Sequence, residues 1–234
     1  MRRINTVPKY IDGRGARLLF VGRSGDVVRL ENPHGNKYST NFSFRNFLIY
    51  GNNRADVGLR VKGTQRTVIS SIAVSRTRTA VMLHADRKHG IYNNLFEDIA
   101  TYMNRENGLW LYSAGGAKLI NGNTFADLYL ARSGNIGLKI AGAASNVFIP
   151  GARRRDVVLW EGSATPMWLR TISDFEMIDA RVYSYKETAI KLSSPARGIY
   201  FGNRIHASRK VSGLGSACGY IIKTQAGTTE KLCR

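Results

Sequence analysis

The sequence predicts an all-β chain wound as a single-stranded parallel β-helix, a solenoid of about seven coils, and three observations predict it. A pair of short apolar signatures recurs along the chain, its first members starting at residues 44, 69, 96, 125, 148 and 172. Each unit consists of two or three strand-like runs, β-branched or aromatic and alternating with period two, punctuated by Gly and Asn. No stretch keeps a helical period over the ten to twelve residues a helix needs. A unit this short cannot bury its apolar face alone. Stacking it on its neighbours, with strands about 4.8 Å apart, solves that problem.

The first signature, apolar–x–polar–apolar, reads Phe44-Arg45-Asn46-Phe47, Ile69-Ser70-Ser71-Ile72, Phe96-Glu97-Asp98-Ile99, Phe125-Ala126-Asp127-Leu128 and Ile172-Ser173-Asp174-Phe175. A second follows each after a polar turn: Gly58-Leu59-Arg60-Val61, Ala80-Val81-Met82-Leu83, Gly108-Leu109-Trp110-Leu111, Gly137-Leu138-Lys139-Ile140 and Ala189-Ile190-Lys191-Leu192. Degenerate copies stand at Phe148 with Val157–Trp160, and near Ile205 with Gly219–Ile222. Leu18–Leu30 reads as a first, less regular rung. The expected organisation is therefore a lead and irregular coil over 1–40, the β-helix over 41–222 and a closing cap over 223–234. Core positions should be Phe44, Phe47, Ile72, Leu83, Phe96, Ile99, Leu109, Leu111, Phe125, Leu128, Leu138 and Ile140. A leucine-rich repeat has a similar period, but its leucine pattern is not sustained, and a propeller blade needs about 40 residues.

Charge bounds the partners. The 35 Lys and Arg exceed the 16 Asp and Glu by 19, so anionic partners are expected. Arginine dominates, with 24 of the 35, and its planar fork suits ordered carboxylate or phosphate contacts. No apolar run approaches a transmembrane helix, so no membrane insertion is expected, and the basic start lacks the apolar stretch of a secretion signal. Cys218 and Cys233 could form one bridge or remain two thiols, and they cannot build a four-thiolate zinc site. His34, His84, His89 and His206 show no metal-ligand spacing, so neither a metal nor another cofactor is expected. Helix-turn-helix, zinc-finger and RNP-type signatures are missing, which argues against nucleic acid.

The F-x-N/D-[ILF] and G-L-x-[VIL] rungs over 44–222 resemble right-handed parallel β-helices of the pectate-lyase-like group, and within it bacteriophage tailspikes and related virion appendages. The resemblance implies a homotrimer on the particle surface, made in the bacterial cytoplasm, contacting other virion proteins and in some members an anionic cell-surface polysaccharide. It is specific for fold and leaves function open, because the group includes lyases, hydrolases and pure binding proteins.

Two columns of residues carry candidate chemistry. The polar position of the first signature gives Asn46, Ser71, Asp98, Asp127 and Asp174. Asp98 and Asp127 on successive rungs would stand about 5 Å apart, near the spacing of a retaining glycosidase pair. Since the column also holds Asn and Ser, a ladder satisfying backbone groups at a bend is the favoured reading, and no catalytic residue is assigned. The turn between the two signatures is basic: Arg54, Arg76, Arg78, Arg105, Arg132, Arg153, Arg154, Arg155 and Lys186, with Tyr50, Tyr102, Tyr129 and Tyr183 just upstream. Stacking would align these as an Arg/Tyr stripe, partly neutralised by Asp56, Glu106, Asp156 and Glu187. The expected function is that of a non-enzymatic virion structural protein, a short trimeric β-helix appendage attaching through this stripe to an acidic virion surface or an anionic host glycan. The alternative is a small polysaccharide depolymerase built on Asp98 and Asp127.

Overall fold

The computed structural model describes residues 10–31, 39–114, 119–150, 157–159, 165–178, 180–182, 188–207, 210–212, 217–224 and 227–231. They form a parallel β-solenoid of about five turns with nearly no helix. The first turn comprises β1 (Tyr10–Leu19), β2 (Asp26–Glu31) and β3 (Ser39–Thr40), and the second β4 (Ser43–Tyr50), β5 (Val57–Lys62) and β6 (Thr64–Gln65). The third holds β7 (Val68–Ser75), β8 (Thr79–Ala85) and β9 (Ile91–Tyr92), and the fourth β10 (Leu95–Tyr102), β11 (Asn107–Ser113) and β12 (Ile120–Asn121). In the fifth, β13 (Thr124–Ala131) is followed by β14 (Ile136–Ala144), which runs on through the place of a third strand.

Beyond residue 144 the parallel pairing continues in pieces of uneven length. These are β15 (Val147–Ile149), β16 (Val157–Leu159), β17 (Thr165–Ser173), β18 (Phe175–Met177), β19 (Ala180–Val182), the long bent β20 (Thr188–Ala207), β21 (Lys210–Ser212) and β22 (Ala217–Thr224). The last strand, β23 (Gly227–Lys231), turns back antiparallel on β22 and so breaks the parallel stack. The expected count of about seven coils is therefore too high: the regular turns number about five. The surplus came from the degenerate copies after Phe148, where strands of three to twenty residues alternate with segments outside the described residues.

Every like-numbered strand of one turn lies on that of the next. Phe44, Ile69, Phe96, Phe125 and Phe148 form one inward column through the pairings of β4, β7, β10, β13 and β15. The rings of Phe96 and Phe125 stack at 4.8 Å and those of Phe125 and Phe148 at 4.5 Å. All twelve expected core residues are buried.

The sharp corners are made by left-handed residues. Just before each first strand stand Asn41, Arg66, Asn93, Gly122, Ser145 and Asp174, all with φ between 48° and 66°. Asn, Asp and Gly tolerate this region best, because a short polar side chain bonds locally and glycine has no Cβ. The residues that follow include Thr67, Asn94, Asn123 and Asn146, which are buried and joined as a hydrogen-bonded ladder. The asparagine side chains also donate to carbonyls of the preceding corner, at Thr64, Ile91 and Ile120, and Asn146 to that of Ala144 in its own corner. The corner's backbone polarity is thus satisfied inside the solenoid.

Candidate functional site

The polar column of the first signature is a bend in the strand. Asn46, Ser71, Asp98 and Asp127 all adopt left-handed backbone, φ 62°, 53°, 52° and 57°. Strand pairing steps over them: Glu97 faces Ala126 and Ile99 faces Leu128, with Asp98 and Asp127 between. Their flanking residues point apolar groups inward, as Phe47, Ile72, Ile99 and Leu128 do. Asn and Asp are the non-glycine types that tolerate this backbone best. Asp98 is half-buried and Asp127 is buried at 1% exposure.

Asp174 does not belong to this column. Ile172 pairs with Ala143 and Ser173 with Ala144, so the run Ile172–Phe175 crosses the corner between β17 and β18. Asp174 is left-handed at φ 50°, in the column of Ser145. The sequence Ile-Ser-Asp-Phe imitates the signature one corner too early.

The basic turn residues divide between two columns. Gly51, Arg76, Met103 and Arg132 follow the first strands, the last three left-handed at φ 57°, 53° and 50°. Arg78 and Arg105 align two residues further on, where Arg105 N–H donates to the Thr77 carbonyl at 2.8 Å. Arg78 pairs with Asp56 at 3.8 Å, and Arg105 reaches the Ala55 carbonyl at 3.5 Å. Arg54 is exposed in the tight turn that closes on Gly51. Arg153, Arg154, Arg155, Tyr183 and Lys186 lie outside the described residues, as does Cys233, while Cys218 is described only in its backbone.

The tyrosines bring cations with them. Arg132 donates to the Tyr102 hydroxyl at 2.8 Å and lies 5.3 Å from its ring centre. Arg17, on the first turn, sits 5.9 Å over the ring of Tyr50. Ser75 stands in register between Tyr50 and Tyr102, and two positions earlier the outward residues shrink to Ala73 and Ala100, leaving a shallow groove of about 230 Å³ that Arg17 and Leu48 also line. Tyr129 is half-buried in the column of Leu48, Ala73 and Ala100, two positions before that of Tyr50 and Tyr102, so the expected stripe of tyrosines divides between two columns. The groove presents cations and half-exposed phenols, a combination suited to an anionic partner.

A second surface was missed in the sequence. Along the outer side of the second strands, Arg60, Met82, Trp110, Lys139, Trp168 and Lys191 stack in register. The Lys139 ammonium stands 4.2 Å from the Trp110 ring centre and 5.1 Å from that of Trp168. Burial pushes it below the ordinary lysine range, only partly offset by Glu106. One column over, Tyr112 leans on Trp110 at 5.5 Å and on His84 at 5.4 Å. Trp168 Nε1 donates to Ser193 Oγ at 2.9 Å. The available signal was the variable position inside each second signature: Trp110, Lys139 and Lys191 were all in plain view there.

Several charged groups elsewhere are paired internally. Asp26 binds Arg29 and Arg60, each at 2.6 Å. Lys62 bridges Glu31 and Asp86, and Asp86 also holds His89 at 2.9 Å. Among the described residues no group of three or more His, Cys, Asp or Glu could hold a metal ion. No helix there is long and apolar enough to cross a membrane.

Compared with protein-family models, curated proteins and solved structures, the chain matches none.

Proposed function

We propose that the chain is a non-enzymatic structural component of a bacteriophage particle, a short homotrimeric β-solenoid appendage that attaches through its Arg/Tyr groove to an acidic protein surface of the virion. The observation that carries this reading is the Tyr102–Arg132 pair beside Tyr50 and Arg17, a cation-rich aromatic groove on a rigid solenoid face. A net charge of +19 supports an anionic counterpart. The phage setting and the trimer draw on the resemblance of the rungs to tailspikes.

The test uses the full chain. Adsorption to immobilised polyglutamate should weaken steeply between 50 and 300 mM salt, since screening acts over about 8–10 Å. Arg17→Gln with Arg132→Gln should weaken it at least tenfold while the melting temperature stays near that of the parent, because exposed charges contribute little to stability. Sedimentation should give a trimer. Unchanged adsorption by the double variant overturns the groove as the attachment surface, and a monomer at micromolar concentration overturns the assembly.

A further inference from the structure

The attachment groove also prescribes its occupant. We infer that it receives an extended segment of a partner protein, lying along the solenoid axis, with two carboxylates four residues apart and an apolar side chain midway between them. This inference rests on the reading of the groove as the attachment surface and specifies what enters it.

Size and lining come first. Small-molecule pockets enclose about 300–1,000 Å³, whereas this groove holds about 230 Å³. It has room for one side chain of something longer. Its floor is apolar, because Leu48, Ala73 and Ala100 follow one another on successive turns. Leu48 is 46% exposed. An apolar side chain set over the two alanines would take that leucine out of water.

Charge fixes the ends. Arg17 stands on the first turn and Arg132 on the fifth, and each leans one turn inward over a tyrosine, Tyr50 and Tyr102 respectively. Both arginines are exposed, and neither is in an ion pair among the described residues. Tyr50 and Tyr102 lie two turns apart, about 10 Å along the solenoid. On one side of an extended chain, side chains two residues apart are separated by about 7 Å and those four apart by about 13 Å. The shorter spacing falls inside the two tyrosines. The longer one carries a carboxylate to each guanidinium and leaves the middle side chain over the alanines, where charge-assisted bonds hold both ends.

A sugar polymer fits less well. A guanidinium already lies over each tyrosine ring, the surface on which a pyranose would stack, and a glycan has no apolar side chain for the floor.

The experiment measures binding of the full chain to dye-labelled peptides by fluorescence anisotropy at about 50 mM salt, where charge contacts are weakly screened. One peptide has glutamates four residues apart with leucine midway, in a serine background. A second has the same composition with the glutamates two residues apart and the leucine outside them. A third replaces the leucine by serine. The first should bind at least fivefold more tightly than either of the others. Ala100→Phe, which fills the floor, and Arg132→Gln should each weaken the first peptide at least fivefold without moving the melting temperature. Equal binding of the three peptides, or binding that Ala100→Phe leaves intact, overturns the segment. A hyaluronate oligomer of equal charge that binds more tightly than the first peptide overturns it in favour of a glycan. If polyglutamate adsorption still depends on Arg17 and Arg132 in either case, the groove stands as the attachment surface and only the segment falls; loss of that dependence removes both.

Discussion

The side-chain nitrogen of Asn94 donates to the side-chain oxygen of Asn123 at 2.9 Å, and the same oxygen accepts the Asn94 backbone N–H at 3.0 Å. Asn123 repeats the arrangement with Asn146 one turn on, at 2.9 and 3.1 Å. One side chain thus ties the backbones of adjacent turns where the chain changes direction.

Asn123→Leu should be severely destabilising. It removes the acceptor of two bonds from Asn94 and the donor to Asn146 and to two carbonyls, at Ile91 and Asn121. Each buried group left without a partner costs about 1–3 kcal/mol, so a loss of at least about 3 kcal/mol is expected in denaturant unfolding. A change below about 1 kcal/mol would mean that the ladder is replaceable by apolar packing.

Arg66→Asn should stabilise. Arg66 is exposed with φ 52°, and the residues before and after it in its corner column are Asn41 and Asn93. Asn suits left-handed backbone better than arginine, so a gain of about 0.5 kcal/mol is expected. Arg66→Val should lose about 1–2 kcal/mol, from the clash of a branched Cβ with the following carbonyl. Thermal melts of the two variants should move in opposite directions.

The core and the period were legible because both are forced. Inward positions must be apolar on every turn, so Phe96, Phe125 and Leu109 repeat visibly. The Asn94–Asn123–Asn146 ladder was hidden because asparagine reads as turn punctuation whether its side chain faces water or the core. Asp174 was placed one corner early because apolar residues flank the corner as they flank the bend. Trp110 and Lys139 were overlooked because outward positions admit any residue type, and only register shows that the lysine meets both indoles. Arg76 and Arg78 differ by two positions in sequence, and the corner between them sends them to different columns.

Stability should fall between pH 7 and pH 5, and His84 should be a cause. Burial, followed by the positive charges of Lys62 and Arg60, holds its imidazole below the ordinary value of 6.5. Between that lowered value and 6.5 the unfolded chain carries more protons than the folded one, so stability rises with pH. Acidification through 6.5 therefore removes stability. His84→Gln should show a smaller drop in melting temperature from pH 7.5 to 5.0 than the parent; an equal drop would assign the effect elsewhere. Asp26 acts in a lower window. Its burial would raise the carboxyl, but the hydrogen bonds of Arg60 and Arg29 outweigh that and hold it below 3.8. Its contribution is present above 3.8 and is lost as pH falls below it.

Asp98 and Asp127 should behave as bend residues. Asn is as comfortable as Asp in left-handed backbone, so Asp98→Asn should change stability by no more than about 0.5 kcal/mol, whereas Asp98→Val should cost about 1–2 kcal/mol. A catalytic pair would answer differently: Asp→Asn removes the acid or nucleophile and abolishes turnover while the fold survives. The parent is expected to release no reducing ends from bacterial capsule or lipopolysaccharide, and Asp98→Asn and Asp127→Asn to match it. Sugar release by the parent that disappears in Asp127→Asn, with the melting temperature unchanged, would make the chain a depolymerase. The bend would then be what places two carboxylates on adjacent rungs. If release is absent throughout and only the valine variant loses stability, the column's composition follows from φ alone.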